Sequence, residues 1–221
     1  MKALIFDKPG IDNLRFGDYP LTEPQENEVI VETKCIGINP IDYFTITGFH
    51  GTNGPTMKIN PFPHIAGSEI AGTIIRKGNK TKDSLKEGDR VIIYNRIFDN
   101  TCKLCKKGYE MLCQNGGLVG VAINGGFAEY VKISDENIIK IPDNISWELA
   151  ASLPVAGLTA FHAIKESNVI PGENMIIFGA SGNTGHFCTQ IGKILGARII
   201  AISKKQWVKE YGADEVVSFD N

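Results

Sequence analysis

An aspartate and three cysteines, Asp99, Cys102, Cys105 and Cys113, fall within one short stretch of the chain. Carboxylate and thiolate are donors that Zn²⁺ accepts in tetrahedral sites, and a hairpin of this length can wrap four ligands around one ion. Four protein donors leave no open coordination position. The expected metal is therefore one structural zinc, contributing folding free energy to a lobe over residues 95–115 that has little core of its own. Cys35 and Cys188 stand alone in apolar contexts and read as core residues.

The second chemical pattern is the turn Phe178-Gly179-Ala180-Ser181-Gly182-Asn183-Thr184-Gly185. It joins an apolar strand to a helix. Small residues there allow a tight turn, a close backbone approach to a pyrophosphate and close helix–strand packing, while the helix N-terminus offers free amides to phosphate. A dinucleotide is the expected ligand, with Ser181, Gly182, Asn183 and Thr184 at its phosphates. About 20 residues further on, where NAD readers carry an acid for the ribose 2′-hydroxyl, the chain reads Ile202-Ser203-Lys204-Lys205. Ser203 can hydrogen-bond, and Lys204 and Lys205 can neutralise a 2′-phosphate. The cofactor expected from these residues is NADPH.

Elements must hold these groups in place. Val29–Thr33, Ile70–Ile75 and Arg90–Tyr94 read as short strands separated by Gly-Asn, Glu-Gly-Asp and Asn-Gly-Gly tracts, the texture of a small β-rich domain. Beyond Pro142 the texture changes. Ser146 can cap a helix. Met175–Phe178, Arg198–Ile202 and Glu215–Phe219 read as parallel strands, alternating with helices over Thr184–Leu195 and Gln206–Tyr211. The expected class is α/β plus β, with a β-rich domain over 1–145 and a dinucleotide-binding sheet over 146–221. Six strands would complete such a sheet, so only its first half is expected here.

Composition bounds the remaining classes. Of 221 residues, 43% are hydrophobic and 22% charged, and the net charge is −2. A packed core is expected, with no basic footprint for nucleic acid and no apolar run long enough to span a membrane. The five cysteines are too few for a disulfide framework. A cytoplasmic protein acting on a small molecule is the expectation.

Five stretches carry a family resemblance: Gly37-Ile38-Asn39-Pro40-Ile41-Asp42, Ala66-Gly67-Ser68-Glu69-Ile70-Ala71-Gly72, Glu87-Gly88-Asp89-Arg90-Val91, Gly125-Gly126-Phe127-Ala128-Glu129-Tyr130 and Leu153-Pro154-Val155-Ala156-Gly157-Leu158-Thr159-Ala160. With the cysteine lobe and the glycine turn, the chain resembles the medium-chain dehydrogenase/reductase superfamily. That resemblance implies a chaperonin-10-like (GroES-like) domain followed by a Rossmann domain, a dimer or tetramer when the Rossmann domain is whole, and Asp99 standing where most relatives have a fourth zinc-binding Cys.

The departures from the family pattern carry the functional expectation. Zinc alcohol dehydrogenases of this superfamily hold a catalytic zinc through a Cys, a His and a third Cys or acid. Those positions become Asn39, Ser68 and Val155 here, the proton-relay hydroxyl becomes Ile41 and the relay His becomes Phe44. The pattern is similar to the quinone oxidoreductase and enoyl reductase branches, which implies NADPH-dependent reduction of an activated double bond or carbonyl. The catalytic candidates implied are Asn39, Asp42 and Tyr43, with Thr159 on the cofactor and Glu69 in a structural ion pair. The four histidines, His50, His64, His162 and His186, are read as structural. Two alternatives stay open: a zinc alcohol dehydrogenase using atypical ligands near Glu69 and His64, and a non-catalytic remnant.

Overall fold

The computed structural model describes residues 1–48 and 62–218. It divides into two units, Met1–Pro154 and Val155–Asn221. His50 and the end of the third expected parallel strand, Phe219, lie outside the described residues.

In chain order the first unit carries β1 (Lys2–Phe6), β2 (Leu14–Asp18), β3 (Glu28–Gly37), α1 (Pro40–Thr47), β4 (Glu69–Lys77), β5 (Arg90–Ile93), β6 (Arg96–Ile97), β7 (Gly117–Leu118), β8 (Tyr130–Ser134), β9 (Ile138–Lys140) and α2 (Trp147–Ala151). Five strands form one antiparallel sheet in the order β8-β3-β4-β5-β9. Its inward side chains are β-branched: Val29, Val31, Ile70, Ile74, Val91 and Ile93 are all buried together. Such side chains suit a pleated, half-buried surface, which is why the strand segments were legible from composition. β3 runs from Glu28 to Gly37, longer than its apolar run, because two register shifts against β4 let it bend and continue. Tyr94 falls just past β5, where its amide bonds Asn137 instead of a neighbouring strand.

The two helices of this unit have clear local causes. α1 starts at Asn39, whose backbone is extended, followed by Pro40 in the first turn, where a missing N–H costs nothing. It stops at Gly48, which takes the left-handed conformation. α2 is capped by Ser146, whose hydroxyl accepts the Leu149 amide at 3.2 Å. Its Ala150 and Ala151 pack on Ala71 and Ile92 of the five-stranded sheet. The Arg90 guanidinium lies 4.1 Å over the Trp147 ring, tying the same segment down.

The second unit carries α3 (Leu158–Ser167), β10 (Asn174–Phe178), α4 (Asn183–Ile194), β11 (Arg198–Ile202) and β12 (Glu215–Val217). The strands are parallel in the order β10-β11-β12. Ile177, Ala180, Ile199, Ala201, Val208 and Ala213 form its core. The crossover from β11 to β12 is a 3₁₀ helix over Gln206–Tyr211 rather than an α-helix. The fold is thus an antiparallel β unit followed by a three-stranded parallel sheet with helical crossovers. Among the described residues, no helix is long and apolar enough to cross a membrane.

Candidate functional site

Paired β6 and β7 close a hairpin whose tip holds the cysteine cluster, with Arg96 opposite Leu118 and Ile97 opposite Gly117. The buried Asn137 side chain fixes its base by donating to the carbonyls of Tyr94 and Arg96, each at 2.7 Å. Beyond that base, the lobe has almost no core: of residues 98–117, only Cys105 is buried. The side-chain donors of Asp99, Cys102, Cys105 and Cys113 nevertheless converge within 4.8 Å of one another.

The spacing within that group fits a metal. A tetrahedral zinc with ordinary Zn–S and Zn–O bonds sets neighbouring donors roughly 3.5–3.8 Å apart. Cys102 Sγ lies 3.5 Å from Cys105 Sγ, and Asp99 Oδ1 lies 3.4 Å from Cys113 Sγ and 3.8 Å from Cys105 Sγ. All of the cysteines are free thiols; a disulfide would bring two sulfurs to about 2.05 Å. The backbone amide of Cys105 points at Cys102 Sγ at 3.4 Å and, with that of Gln114, draws the Cys102 thiol down to about 7. Burial and the two neighbouring thiols push Cys105 up. Hydrogen bonds from the Thr101 hydroxyl, the Asn115 amide and the Thr101 backbone hold Asp99 well below the usual carboxylate range, so it is an anion whenever the thiols can bind a cation. The four donors have the types and spacing that would suit a tetrahedral zinc ion. The four residues expected as ligands are brought together; Thr101 and Asn115 were not singled out from the sequence, although the Asp-x-Thr spacing is itself a turn signal.

A second group lies around the start of α1. Asn39 and Glu69 are buried, and Asn39 Nδ2 donates to Glu69 Oε2 at 2.7 Å. Asp42 is 2% exposed, and its carboxylate accepts the backbone amides of Asn39 at 2.8 Å and Ser68 at 3.1 Å. Burial pushes the Asp42 carboxyl up, while the backbone amides pull it back. The Ser68 hydroxyl donates to the carbonyl of Val119 at 2.8 Å. Gly37 pairs with Glu69 across β3 and β4; a Cβ there would come within 2.2 Å of Glu69 Oε2, so only glycine admits this carboxylate. Tyr43, one turn from Asn39, is 57% exposed and stacks edge-on against Phe44 at 5.9 Å. The structure thus joins Asn39, Asp42, Ser68 and Glu69 in one buried polar network and leaves Tyr43 at the surface of α1.

His64 is fully buried in the same unit. Its Nε2 lies 3.0 Å from the Gly120 carbonyl, and Phe6 packs edge-on against its ring at 5.4 Å. Burial lowers its pKa, favouring the neutral ring.

In the second unit the glycine turn has the geometry its spacing implies. Gly179 takes φ +68, and Gly182 caps α4 without a side chain, leaving the first-turn amides open to a ligand. A Cβ on Gly185 would lie 2.2 Å from the Gly179 carbonyl, so α4 can pack this close to the turn only with glycine there. Asn183 is exposed, and Ser181 and Thr184 are half-buried. At the end of β11, Ser203 Oγ accepts the Lys205 amide at 3.0 Å, turning the chain so that Lys204 and Lys205 are both exposed. Thr159 is exposed on the first turn of α3. These residues fit a dinucleotide phosphate cradle. Sequence reading missed the aromatic wall beside it: the His186 ring lies 4.1 Å from Tyr211 and 5.6 Å from Trp207, both edge-on.

Residues 25–143 match the model of the alcohol dehydrogenase GroES-like domain. An alcohol dehydrogenase of Schizosaccharomyces pombe is 32% identical over 99% of the chain and 62% of its own length. A thermostable alcohol dehydrogenase of Pyrobaculum aerophilum, solved with cobalt and zinc, superposes over the whole chain and 66% of its own, with a TM-score of 0.91 and 32% identity. A quinone oxidoreductase of Pseudomonas syringae superposes over 98% of the chain and 58% of its own, with a TM-score of 0.75 and 26% identity. The chain therefore spans about three fifths of the length of the curated relatives it matches.

Proposed function

The chain belongs to the alcohol dehydrogenase GroES-like family, within the medium-chain dehydrogenase/reductase superfamily, and from that premise we propose that it serves an NADPH-dependent oxidoreductase reducing an activated double bond or carbonyl. The observation that carries this reading is how the side chains at two catalytic-zinc positions of the family are engaged. Asn39 Nδ2 and Ser68 Oγ both act as hydrogen-bond donors to protein acceptors, and the third position is the hydrocarbon Val155. Neutral donors already committed to Glu69 and the Val119 carbonyl do not compete for a metal against water.

The cofactor, when bound, supplies hydride from its nicotinamide C4. The chain's own residues do the rest. The open amides of Gly182, Asn183 and Thr184, with Ser181, hold the pyrophosphate at the N-terminus of α4. Ser203, Lys204 and Lys205 favour a 2′-phosphate through hydrogen bonding and charge. Thr159 adds a hydroxyl to the cofactor. Tyr43 is exposed and offers a phenol that can give a proton to the oxygen on which negative charge develops. Asn39 and Asp42, locked in the buried network, set the position of α1 and hence of Tyr43.

Fluorescence titration with NADPH and NADH tests this reading. Micromolar NADPH binding with much weaker NADH binding is expected, and Lys204→Ala/Lys205→Ala should lower NADPH affinity about tenfold, near 1.4 kcal/mol, while leaving NADH unchanged. Equal affinity for both, or tighter NADH binding, overturns the cofactor assignment. Binding of neither by a folded chain overturns the reading of the glycine turn as sufficient for dinucleotide binding. A zinc-dependent alcohol dehydrogenase with atypical ligands is the second reading, favoured by the alcohol dehydrogenase relatives. It requires alcohol oxidation that a chelator abolishes without unfolding the protein.

A further inference from the structure

The zinc centre carries a feature beyond its four ligands: the aspartate is held by two side chains that ligate nothing. Asp99 Oδ2 receives the Thr101 hydroxyl and the Asn115 Nδ2, each at 2.6 Å. Asp99 Oδ1 is the oxygen that faces the sulfurs of Cys105 and Cys113, and it also accepts the Thr101 backbone amide at 2.9 Å. The two oxygens of one carboxylate therefore differ in surroundings: Oδ1 faces the sulfurs and takes backbone amides, that of Cys102 at 3.4 Å included, whereas Oδ2 is held by the two side chains.

Resting on the reading of this cluster as a zinc site, we propose that Thr101 and Asn115 are positioning residues of the metal centre, which hold Asp99 to ligation through Oδ1 alone and so allow a carboxylate to complete a three-thiolate site. A carboxylate can turn about its last bond and bind through either oxygen or both, whereas a thiolate presents a single atom. Replacing a fourth thiolate by a carboxylate therefore adds a rotational freedom that must be removed for a tetrahedral ion. With Oδ2 occupied by two donors, bidentate binding would require breaking both hydrogen bonds. The arrangement sits in a lobe where, of residues 98–117, only Cys105 is buried, so packing does not supply the constraint instead. Outer-sphere partners of metal ligands change affinity 10–100-fold when removed.

Three variants of the 221-residue chain keep all four ligands: Asn115→Leu, Thr101→Val and Thr101→Ser. Zinc affinity is read by competition with a chromophoric chelator, and Co²⁺ substitution reports geometry through the intensity of its visible d–d bands. Asn115→Leu and Thr101→Val should each weaken zinc binding about 10–100-fold and alter the cobalt spectrum, whereas Thr101→Ser, which keeps the hydroxyl, should match the parent. Were Asn115→Leu to misfold, as judged by circular dichroism, the Thr101→Val and Thr101→Ser pair decides. Parent-like zinc affinity and cobalt spectrum in Thr101→Val overturn the proposal. Equal weakening in Thr101→Val and Thr101→Ser also overturns it, since the hydroxyl would then not be the cause. Failure of the parent itself to bind zinc or cobalt overturns the underlying site reading instead, which separates the two failures.

Discussion

Glu69 shows how a carboxylate suited to a metal site can be given a structural partner. It is buried, and Asn39 donates to it at 2.7 Å. Removing that donor leaves a buried acceptor less satisfied, which costs about 1–3 kcal/mol. Asn39→Ala should therefore lower stability by about 2 kcal/mol in a urea titration; an unchanged midpoint and slope would remove the bond from the account. His64 gives a pH dependence. Its folded-state pKa lies below the ordinary 6.5 because burial disfavours the charged ring. Below pH 6.5 the unfolded chain thus takes up a proton that the folded one does not, and stability falls as pH falls. His64→Gln should show a shallower loss of stability as pH falls below about 6.5, as read by denaturant midpoints; a slope equal to the parent's contradicts it. His186, also lowered by burial, keeps part of the slope in both proteins. At this scale the convergence of Asp99, Cys102, Cys105 and Cys113 was legible because donor types at short spacing fall on one hairpin. Thr101 and Asn115 were not, because their aim at Asp99 depends on a turn in which Asn100 takes φ +58.

The strand–turn–helix unit β10–α4 is the element on which the proposed cofactor binding would depend. A methyl group at Gly185 would meet the Gly179 carbonyl at 2.2 Å, whereas one at Gly182 would lie 3.3 Å from the same oxygen. Gly185→Ala should therefore force α4 away from the turn, costing about 1–3 kcal/mol as overpacking does, and should abolish dinucleotide binding. Gly182→Ala should cost less stability while weakening dinucleotide binding, because its side chain stands at the capping position where a phosphate approaches. Thermal unfolding and cofactor titration of the pair check this, and equal stability losses would contradict it. The parallel strands were readable because buried strands form unbroken apolar runs: β11 matches its expected span, residue for residue. The β1–β2 pair and β6–β7 hairpin were not, since two-residue strands and pairings across sequence leave no periodic pattern. The 3₁₀ turn at Gln206–Tyr211 was read as a helix because its apolar spacing fits either geometry.

At the scale of the molecule, the two halves of the chain are stabilised in different ways. The β domain has a β-branched core, and the sheet unit has a smaller core of Ile, Val and Ala. The lobe at 98–117 buries only Cys105, so a metal held by the cluster would supply the stability that packing does not. Chelation should raise amide hydrogen exchange in the lobe while leaving β3, β4 and β5 protected. Uniform loss of protection would mean the zinc holds the whole domain. The domain types and the zinc site were legible at this scale because they rest on residue types at fixed spacing. The assignment of chemistry rests instead on what Asn39 and Ser68 bond to, which no spacing reveals.

The most direct test of that assignment is the zinc content of the protein purified from zinc-supplemented medium, measured by mass spectrometry for the parent and for Cys113→Ser. One zinc per chain in the parent and close to none in Cys113→Ser is the predicted result, placing all of the metal in the lobe. Two per chain in the parent, with one still present in Cys113→Ser, would put a metal at a second site and return the chemistry to zinc-assisted alcohol oxidation.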